Sequence, residues 1–401
     1  MSKILPKKLN YLNKYLLDKY ITEHLPGSSI LISQNNEEVG YFEKGFMDVE
    51  REKPINRNTI FRIYSMTKPI TSVCIMSLFE KGLIHLSDEV EKFIPEWKNM
   101  KVYESGDKNN LKTKSPNRKM LIHDLLTHRS GLTYHFTNET PVDEMYRDKG
   151  IMIAQGDKLD PDEYIKLLAD IPLEFSPGEH FNYSISTDIL GFIIQRITNK
   201  TLFEFFKETI LDPLNMNDTF FTIPKEKKER FASCYVCDAK NGGYKLSDDS
   251  QSSAFSNTPK SFSGGGGLLS TIDDYMKFCN MLQNKGTING TTILGKKTTE
   301  LMMSNQLEKN VDLSQIAKGR WSETLFEGIG FSLGGSVVID PVRNKNISSL
   351  GEFAWGGAAG TAFWVDPVEK INVVFMTQIM DFLERDALRS ELRTVVNQSI
   401  V

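Results

Sequence analysis

An apolar, β-branched run, Thr59-Ile60-Phe61-Arg62-Ile63, stops at Tyr64-Ser65, and an apolar helical pattern (Ile70, Val73, Cys74, Met76, Leu78) takes over directly. The chain is therefore expected to deliver Ser65 from a strand to the head of a buried helix. Lys68 follows three positions on, so the two side chains share one helical face, about 5–6 Å apart at Cβ. A serine hydroxyl is a poor nucleophile until something takes its proton, and a lysine whose ammonium is desolvated or crowded by another cation can do so. The first-turn N–H groups have no helical partners and are able to bind a developing oxyanion. Pro69 restricts this arrangement, because it disfavours α geometry at Lys68 and costs about 3 kcal/mol deep in a helix. The helix must then begin at or close to Ser65. Ser-x-x-Lys alone is a weak signal: Ser105-Gly106-Asp107-Lys108 repeats it in a polar stretch with no strand before and no apolar helix after, and reads as a solvated loop.

The rest of the chain predicts an α+β fold. The first residues, up to Pro26-Gly27, form an amphipathic helix (Leu9, Leu12, Tyr15, Leu16, Leu17, Tyr20). Residues 28–34 and 39–49 form a hairpin turned at Asn35-Asn36, and the Ser65 helix stops at Gly82. From Leu83 to about Lys260 the pattern is helices and long polar connections, with helices at 122–128, from Asp160, and at 187–198 and 202–211. Ser263-Gly264-Gly265-Gly266-Gly267 breaks the chain before a helix through Tyr275, Phe278 and Leu282. Strands return at 329–340, 360–366 and 371–377, and a helix over about 383–396 closes the chain. Strands at both ends and helices between them indicate one antiparallel sheet flanked by helices, an α/β sandwich, with an inserted mostly helical domain. The division expected is 1–82 with 261–401 for the sheet domain and 83–260 for the insertion, with a cleft between them as the place for a site. The segment 134–159 walls a pocket or is a surface loop, and 98–119 is a polar stretch without an assigned role.

At 401 residues and a net charge of −4 the chain has room for a large core and gives no reason to expect a nucleic-acid surface. No stretch reaches the ~18 uninterrupted apolar residues of a membrane span, and the spaced polar residues before Pro26 do not make a signal peptide. With Met1 as the natural start, a cytoplasmic location is expected. Cys74 and Cys279 fall in apolar patterns, and Cys234-Tyr235-Val236-Cys237 lacks the second pair or histidine of a zinc site. His123 and His128 diverge on a helix, so neither a metal nor a cofactor is expected.

Gly330-Phe331-Ser332-Leu333-Gly334 is a rival nucleophile motif, but it needs strand, sharp turn and helix. Here a strand pattern follows, and the last histidine, His180, comes too early to serve as its base. Ser332 is expected to be structural, within a strand.

Ser65-Met66-Thr67-Lys68, Tyr183-Ser184-Ile185 and Trp355-Gly356-Gly357 occur in the order and rough spacing of the three active-site motifs of serine β-lactamases and penicillin-binding proteins. The chain resembles most closely the class C β-lactamase-like esterases called family VIII carboxylesterases. Further landmarks match: Leu125 to Leu132, Ser176-Pro177-Gly178-Glu179, Asp188, Pro213 to Met216 and Gly265 to Leu269. The resemblance implies a β-lactamase/transpeptidase-like fold and a small-molecule ester as substrate. It assigns Ser65 as nucleophile, with Lys68 and Tyr183, the latter at or near a phenolate, sharing the proton traffic. It places the N–H of Ala358 beside that of Ser65 as oxyanion donor, and Trp355, Gly356 and Gly357 along the substrate, the two glycines letting a strand edge come close. Without it, Tyr183 reads as a half-buried aromatic ahead of a helix and Trp355 as core. Two departures bear on substrate class. Ile185 stands where the family's lactamases carry an amide-reading asparagine, and Trp355 where they carry a carboxylate-reading lysine. A serine hydrolase of short-acyl esters is the expectation. A β-lactamase or a D-amino-acid peptidase or amidase is the alternative within the fold, and a non-catalytic binding protein with a degenerate site is the alternative outside it.

Overall fold

The computed structural model describes residues 3–21, 24–238, 240–319 and 323–401. Met1 and the side chains of Tyr15 and Leu16 lie outside the described residues.

Eight strands form the main sheet, in the order Ile329–Phe331, Ser336–Val338, Phe353–Gly356, Ala362–Asp366, Ile371–Thr377, Gly27–Gln34, Glu37–Asp48, Lys53–Pro54. Every pairing is antiparallel, and the seam between the two chain ends runs down the middle, with Ile30 opposite Phe375 and Leu31 opposite Val374. All residues of Gly27–Gln34 and Ile371–Thr377 are buried. Unbroken burial of an antiparallel strand requires cover on both faces, and the pleat sorts the side chains accordingly. Ile30, Ile32, Val373 and Phe375 pack with Leu9, Leu12, Leu388 and Leu392 of the terminal helices. Leu31, Val374 and Met376 point the other way, into the core that holds Tyr275 and Phe278 of helix Ile272–Gln283. The Asn35-Asn36 turn has both residues at positive φ (54° and 67°), the requirement of a tight hairpin with native twist.

Helix Thr67–Glu80 is buried from Thr67 to Leu78, so it lies within the core instead of capping it, and it packs against helix Ser186–Thr198. Pro69 sits in its first turn, where the missing N–H has no helical acceptor to lose. Gly82, at φ +69°, ends it with the Leu83 N–H returning to the Leu78 carbonyl.

Several expectations change. The run 329–340 is two strands joined by a turn, so Ser332 lies in a hairpin and not within a strand: both its N–H and its hydroxyl donate to the Gly335 carbonyl (2.8 and 2.9 Å). Between 83 and 260 there are strands as well as helices, at Val102–Ser105 with Lys112–Lys114 and at Cys234–Cys237 with Tyr244–Asp248. The second pair joins Ile379–Met380 through Cys234–Cys237. Helix Pro141–Asp148, capped by Thr140 and Asp143, was not anticipated. The second Ser-x-x-Lys copy is a surface turn in which Lys108 pairs with Glu144 (2.7 Å) and Asp148 (2.9 Å) and not with Ser105. No helix among the described residues is long and apolar enough to cross a membrane.

The strand end Trp355-Gly356 is locked from behind by Arg389 of helix Arg385–Asn397. Its buried guanidinium donates to the Thr361 carbonyl (2.7 Å) and to the Glu323 carbonyl (2.9 Å) and carboxylate (3.1 Å). A Cβ on Gly356 would overlap that guanidinium. Without Arg389, Glu323 keeps Arg385 as its cation (3.4 Å), but the buried Thr361 and Glu323 carbonyls lose their donor. Arg389→Met is accordingly expected to lower unfolding free energy by about 1–3 kcal/mol in urea titration, with Gly356→Ala also destabilising; a loss under about 0.5 kcal/mol for both variants contradicts this packing.

Candidate active site

Strand Phe61–Arg62 pairs with Leu269–Ser270 and leads straight to Ser65. Its direction is fixed by Arg62, fully buried, which donates to Asp248 Oδ2 (2.9 Å), Ser253 Oγ (3.1 Å) and the Ala232 carbonyl (2.5 Å), with its guanidinium 4.1 Å above the Phe231 ring. Tyr64 then takes φ +41°, a left-handed backbone that is costly for a bulky residue. A 3₁₀ turn, Tyr64–Met66, precedes the α-helix from Thr67, and the Tyr275 hydroxyl donates to the Met66 carbonyl at 2.8 Å. Ser65 is left 7% exposed.

Lys68 is buried beneath it. The Nζ donates to the Gly265 carbonyl (2.6 Å), the Tyr134 hydroxyl (2.9 Å) and Ser65 Oγ (3.3 Å), and lies 4.7 Å from the centre of the Tyr183 ring. Burial lowers its pKa to about 8, against the opposing fields of Asp188 and Glu323. Asp188 is buried too, its carboxylate accepting from Ser263 Oγ (2.5 Å) and the Gly265 N–H (2.9 Å). Burial raises its pKa, with the Lys68 charge working the other way. An amine held near neutrality at this distance from a hydroxyl can accept its proton.

Tyr183 is brought to the same point. It is 2% exposed, hydrogen-bonds Ser65, and receives the Trp355 indole N–H at 3.3 Å. The phenolate expectation is reversed here. Burial pushes the Tyr183 phenol well above its ordinary value, so at neutral pH it keeps its proton and acts as a hydrogen-bond donor. The His128 ring, 4.7 Å away, is held by the Ser184 N–H at Nδ1 (3.2 Å) and is kept neutral by burial and the Lys68 charge.

The third stretch divides. Ala358 borders the same cavity as Ser65, and among the described residues its N–H donates to no group. Trp355 lies behind Tyr183 in the core. Gly356 and Gly357 do not line the cavity, contrary to expectation. Gly356 ends its strand, paired there with Ala362 alone, and the missing side chains make room for Arg389 at Gly356 and for the Ile63 carbonyl and Thr361 at Gly357. Ser332 is fully buried in its hairpin.

Two contributors were missed by sequence reasoning. Tyr134 has no motif of its own beyond its place just after the Leu125–Leu132 landmark. The glycine run reads in sequence as a chain break and, from Gly265 on, as a landmark of the resemblance, without a role at Lys68. A Cβ on Gly265 would overlap the Asp188 carboxylate, so glycine is what lets this backbone offer its carbonyl to Lys68. The open question over 134–159 is answered: Tyr134, Phe136, Met152 and Ile153 wall a cavity of about 900 Å³ that also reaches Tyr64, Phe255 and Phe382 and has Ser65, Gly265 and Ala358 on its lining.

The Beta-lactamase family model matches residues 14–398. The protein MT1414 of Mycobacterium tuberculosis is 32% identical over 366 residues, covering 90% of this chain and 88% of that protein. Esterase EstB of Burkholderia gladioli is 25% identical over 370 residues, 88% of this chain and 86% of EstB. Among solved structures, EstCE1, a hydrolase with promiscuous acyltransferase activity, superposes with a TM-score of 0.80 over 98% of this chain and 99% of its own, at 23% identity, a likeness of fold. Because the family match runs through every strand of the main sheet and through all the stretches that meet at Lys68, the chain belongs to the Beta-lactamase family.

Proposed function

We propose that the protein is a serine hydrolase that cleaves carboxylic esters, short-acyl ones among them, through an acyl-Ser65 intermediate. The observation that carries this is the convergence of the buried Lys68 Nζ and Tyr183 phenol on Ser65, which itself lies on the wall of one largely apolar cavity. In this reading neutral Lys68 takes the Ser65 proton as Oγ attacks the acyl carbon, and the N–H groups of Ser65 and Ala358 receive the oxyanion. Tyr134 bonds both Lys68 and Tyr183, so the proton has a hydrogen-bonded path from the amine to the Tyr183 phenol, which gives it to the departing alkoxide. Water then attacks the acyl-serine with the same groups in reverse. Ester substrates are favoured over lactams or D-amino-acid peptides because Ile185 is buried without a polar atom and the Trp355 indole is committed to Tyr183. Neither reads an amide or a carboxylate, and a site with no partner for a group gains nothing from that group. EstB is an esterase by name, which agrees with this reading. Acyl transfer to an alcohol shares the steps as far as acyl-Ser65, and adding an alcohol to the assay separates the two.

A fluorophosphonate probe is expected to label the intact protein on the peptide containing Ser65. Ser65→Ala is expected to bring p-nitrophenyl butyrate hydrolysis to background while Ser332→Ala keeps most of it. Loss of activity in the second variant and retention in the first would end the assignment. Tyr183→Phe should lose about 10²–10⁴-fold in kcat without a matching loss of stability.

The base form of Lys68 is the deprotonated amine. Hence kcat/KM is expected to rise with pH to half its plateau near pH 8, falling about tenfold per unit below that. A profile that is flat or that declines between pH 6 and pH 8 assigns the base elsewhere.

A further inference from the structure

The cavity is much larger than a short-acyl ester requires, and its lining has a character of its own. At about 900 Å³ it lies near the upper end of the range of roughly 300–1,000 Å³ for sites that hold drug-sized molecules. Three large apolar residues on its lining remain exposed: Phe136 at 39%, Met152 at 45% and Leu383 at 83%. Two come from the 134–159 segment and one from near the C-terminus, and all three line the same cavity. Exposed apolar groups that cluster at a concavity mark a binding surface, whereas scattered ones do not.

Charge narrows the ligand further. The carboxylate, imidazole and cationic groups of the lining are Asp188, Asp248, Asp381, His135 and Arg385, and it contains no lysine among the described residues. The single guanidinium is already engaged, by Glu323 at 3.4 Å and Asp386 at 3.8 Å. Asp188 and Asp248 are satisfied within the protein, by Ser263 and Gly265 and by Arg62. Exposed Asp381 forms no ion pair among the described residues and places its negative charge at the cavity edge beside Phe382 and Leu383. His135 is held to the neutral form by burial. An anionic ligand would meet carboxylates with no cation to spare.

We infer that the substrates are esters with one bulky apolar flank, ring-sized or larger, that bears no negative charge, and that Phe136, Met152 and Leu383 grip this flank. The inference rests on the ester hydrolase reading above. It separates this site from one built for acidic substrates, since neither the Trp355 position nor any group at the cavity opening supplies a carboxylate-binding cation.

The test compares kcat/KM within matched pairs on the purified full-length protein. Phenyl acetate against 1-naphthyl acetate enlarges the alcohol, p-nitrophenyl acetate against p-nitrophenyl 3-(1-naphthyl)propionate enlarges the acid, and 5-carboxy-1-naphthyl acetate adds the charge. One naphthyl member is expected to exceed its small counterpart by about tenfold or more, which identifies the flank, and the carboxylated ester is expected to fall well below the neutral one. Leu383→Asp and Met152→Asp, both at exposed positions, should cut the naphthyl-to-small ratio about tenfold. Asp381→Lys should raise the carboxylated ester relative to the neutral one. The inference is overturned if both pairs show ratios near one, if the carboxylated ester is preferred, or if the preference survives Leu383→Asp and Met152→Asp unchanged. If no ester in the set is turned over and the fluorophosphonate leaves Ser65 unlabelled, the hydrolase reading itself has failed and not merely its size and charge preference.

Discussion

Lys68 is the group that the remaining structure has to accommodate. Moving a pKa from 10.5 to about 8 corresponds to roughly 3 kcal/mol of lost preference for the ammonium, and burial is its main cause. From about pH 8 to 10.5 the unfolded chain holds a proton that the folded chain has released, so the penalty is complete at neutral pH and fades as pH rises through that window. The folded protein limits this cost by surrounding Nζ with the Gly265 carbonyl and the Tyr134 hydroxyl and by placing Asp188 nearby. Each of those partners belongs to a different stretch of chain. Thus the glycine run, the segment entering 134–159 and the first turn of helix Ser186–Thr198 are all held in register by a single amine.

The sandwich explains how such distant stretches can meet so closely. Pairing of Gly27–Gln34 with Ile371–Thr377 closes the two chain ends into one sheet, and the core on one side of that sheet contains the serine helix. Arg389 pulls the Trp355–Thr361 region from behind through the Gly357 and Thr361 carbonyls (3.4 and 2.7 Å). That leaves Ala358 on the cavity side, opposite Ser65. The glycines at 356 and 357 therefore serve packing, and the residue after them is the one that borders the cavity.

Much of this was legible in the sequence. The hairpin at Asn35-Asn36, the strand-to-helix junction at Ser65, the helix stop at Gly82 and the capped helix from Asp160 all announce themselves through local chemistry, and each is present. Ser65, Lys68 and Tyr183 stand out as candidates because their motifs have fixed local spacing, and the structure brings the three side chains together. What was missed is non-local. Tyr134 gains its place only through the tertiary path that puts its hydroxyl on Lys68. The Ser332 hairpin was masked because two short strands and a tight turn have the same apolar, β-branched composition as one longer strand. The charge state of Tyr183 was misjudged because a nearby ammonium was weighed and burial was not. Desolvation outweighs that attraction at Tyr183, and the same burial brings the Lys68 amine down to about 8.

Tyr64 shows why a serine here needs more than a helix start. Its left-handed backbone costs on the order of 1–3 kcal/mol, which a relaxed loop would give up by turning Ser65 away. The turn persists because both of its ends are over-determined. Upstream, Arg62 is fixed by Asp248, Ser253, Ala232 and the face of Phe231. Downstream, the Met66 carbonyl takes the Tyr275 hydroxyl and the Thr67 hydroxyl takes the Leu268 N–H. Between these anchors the chain passes from strand to helix in four residues, turning at the left-handed backbone of Tyr64. That route leaves Ser65 Oγ at the one place where the Lys68 amine lies below it and the cavity lies above.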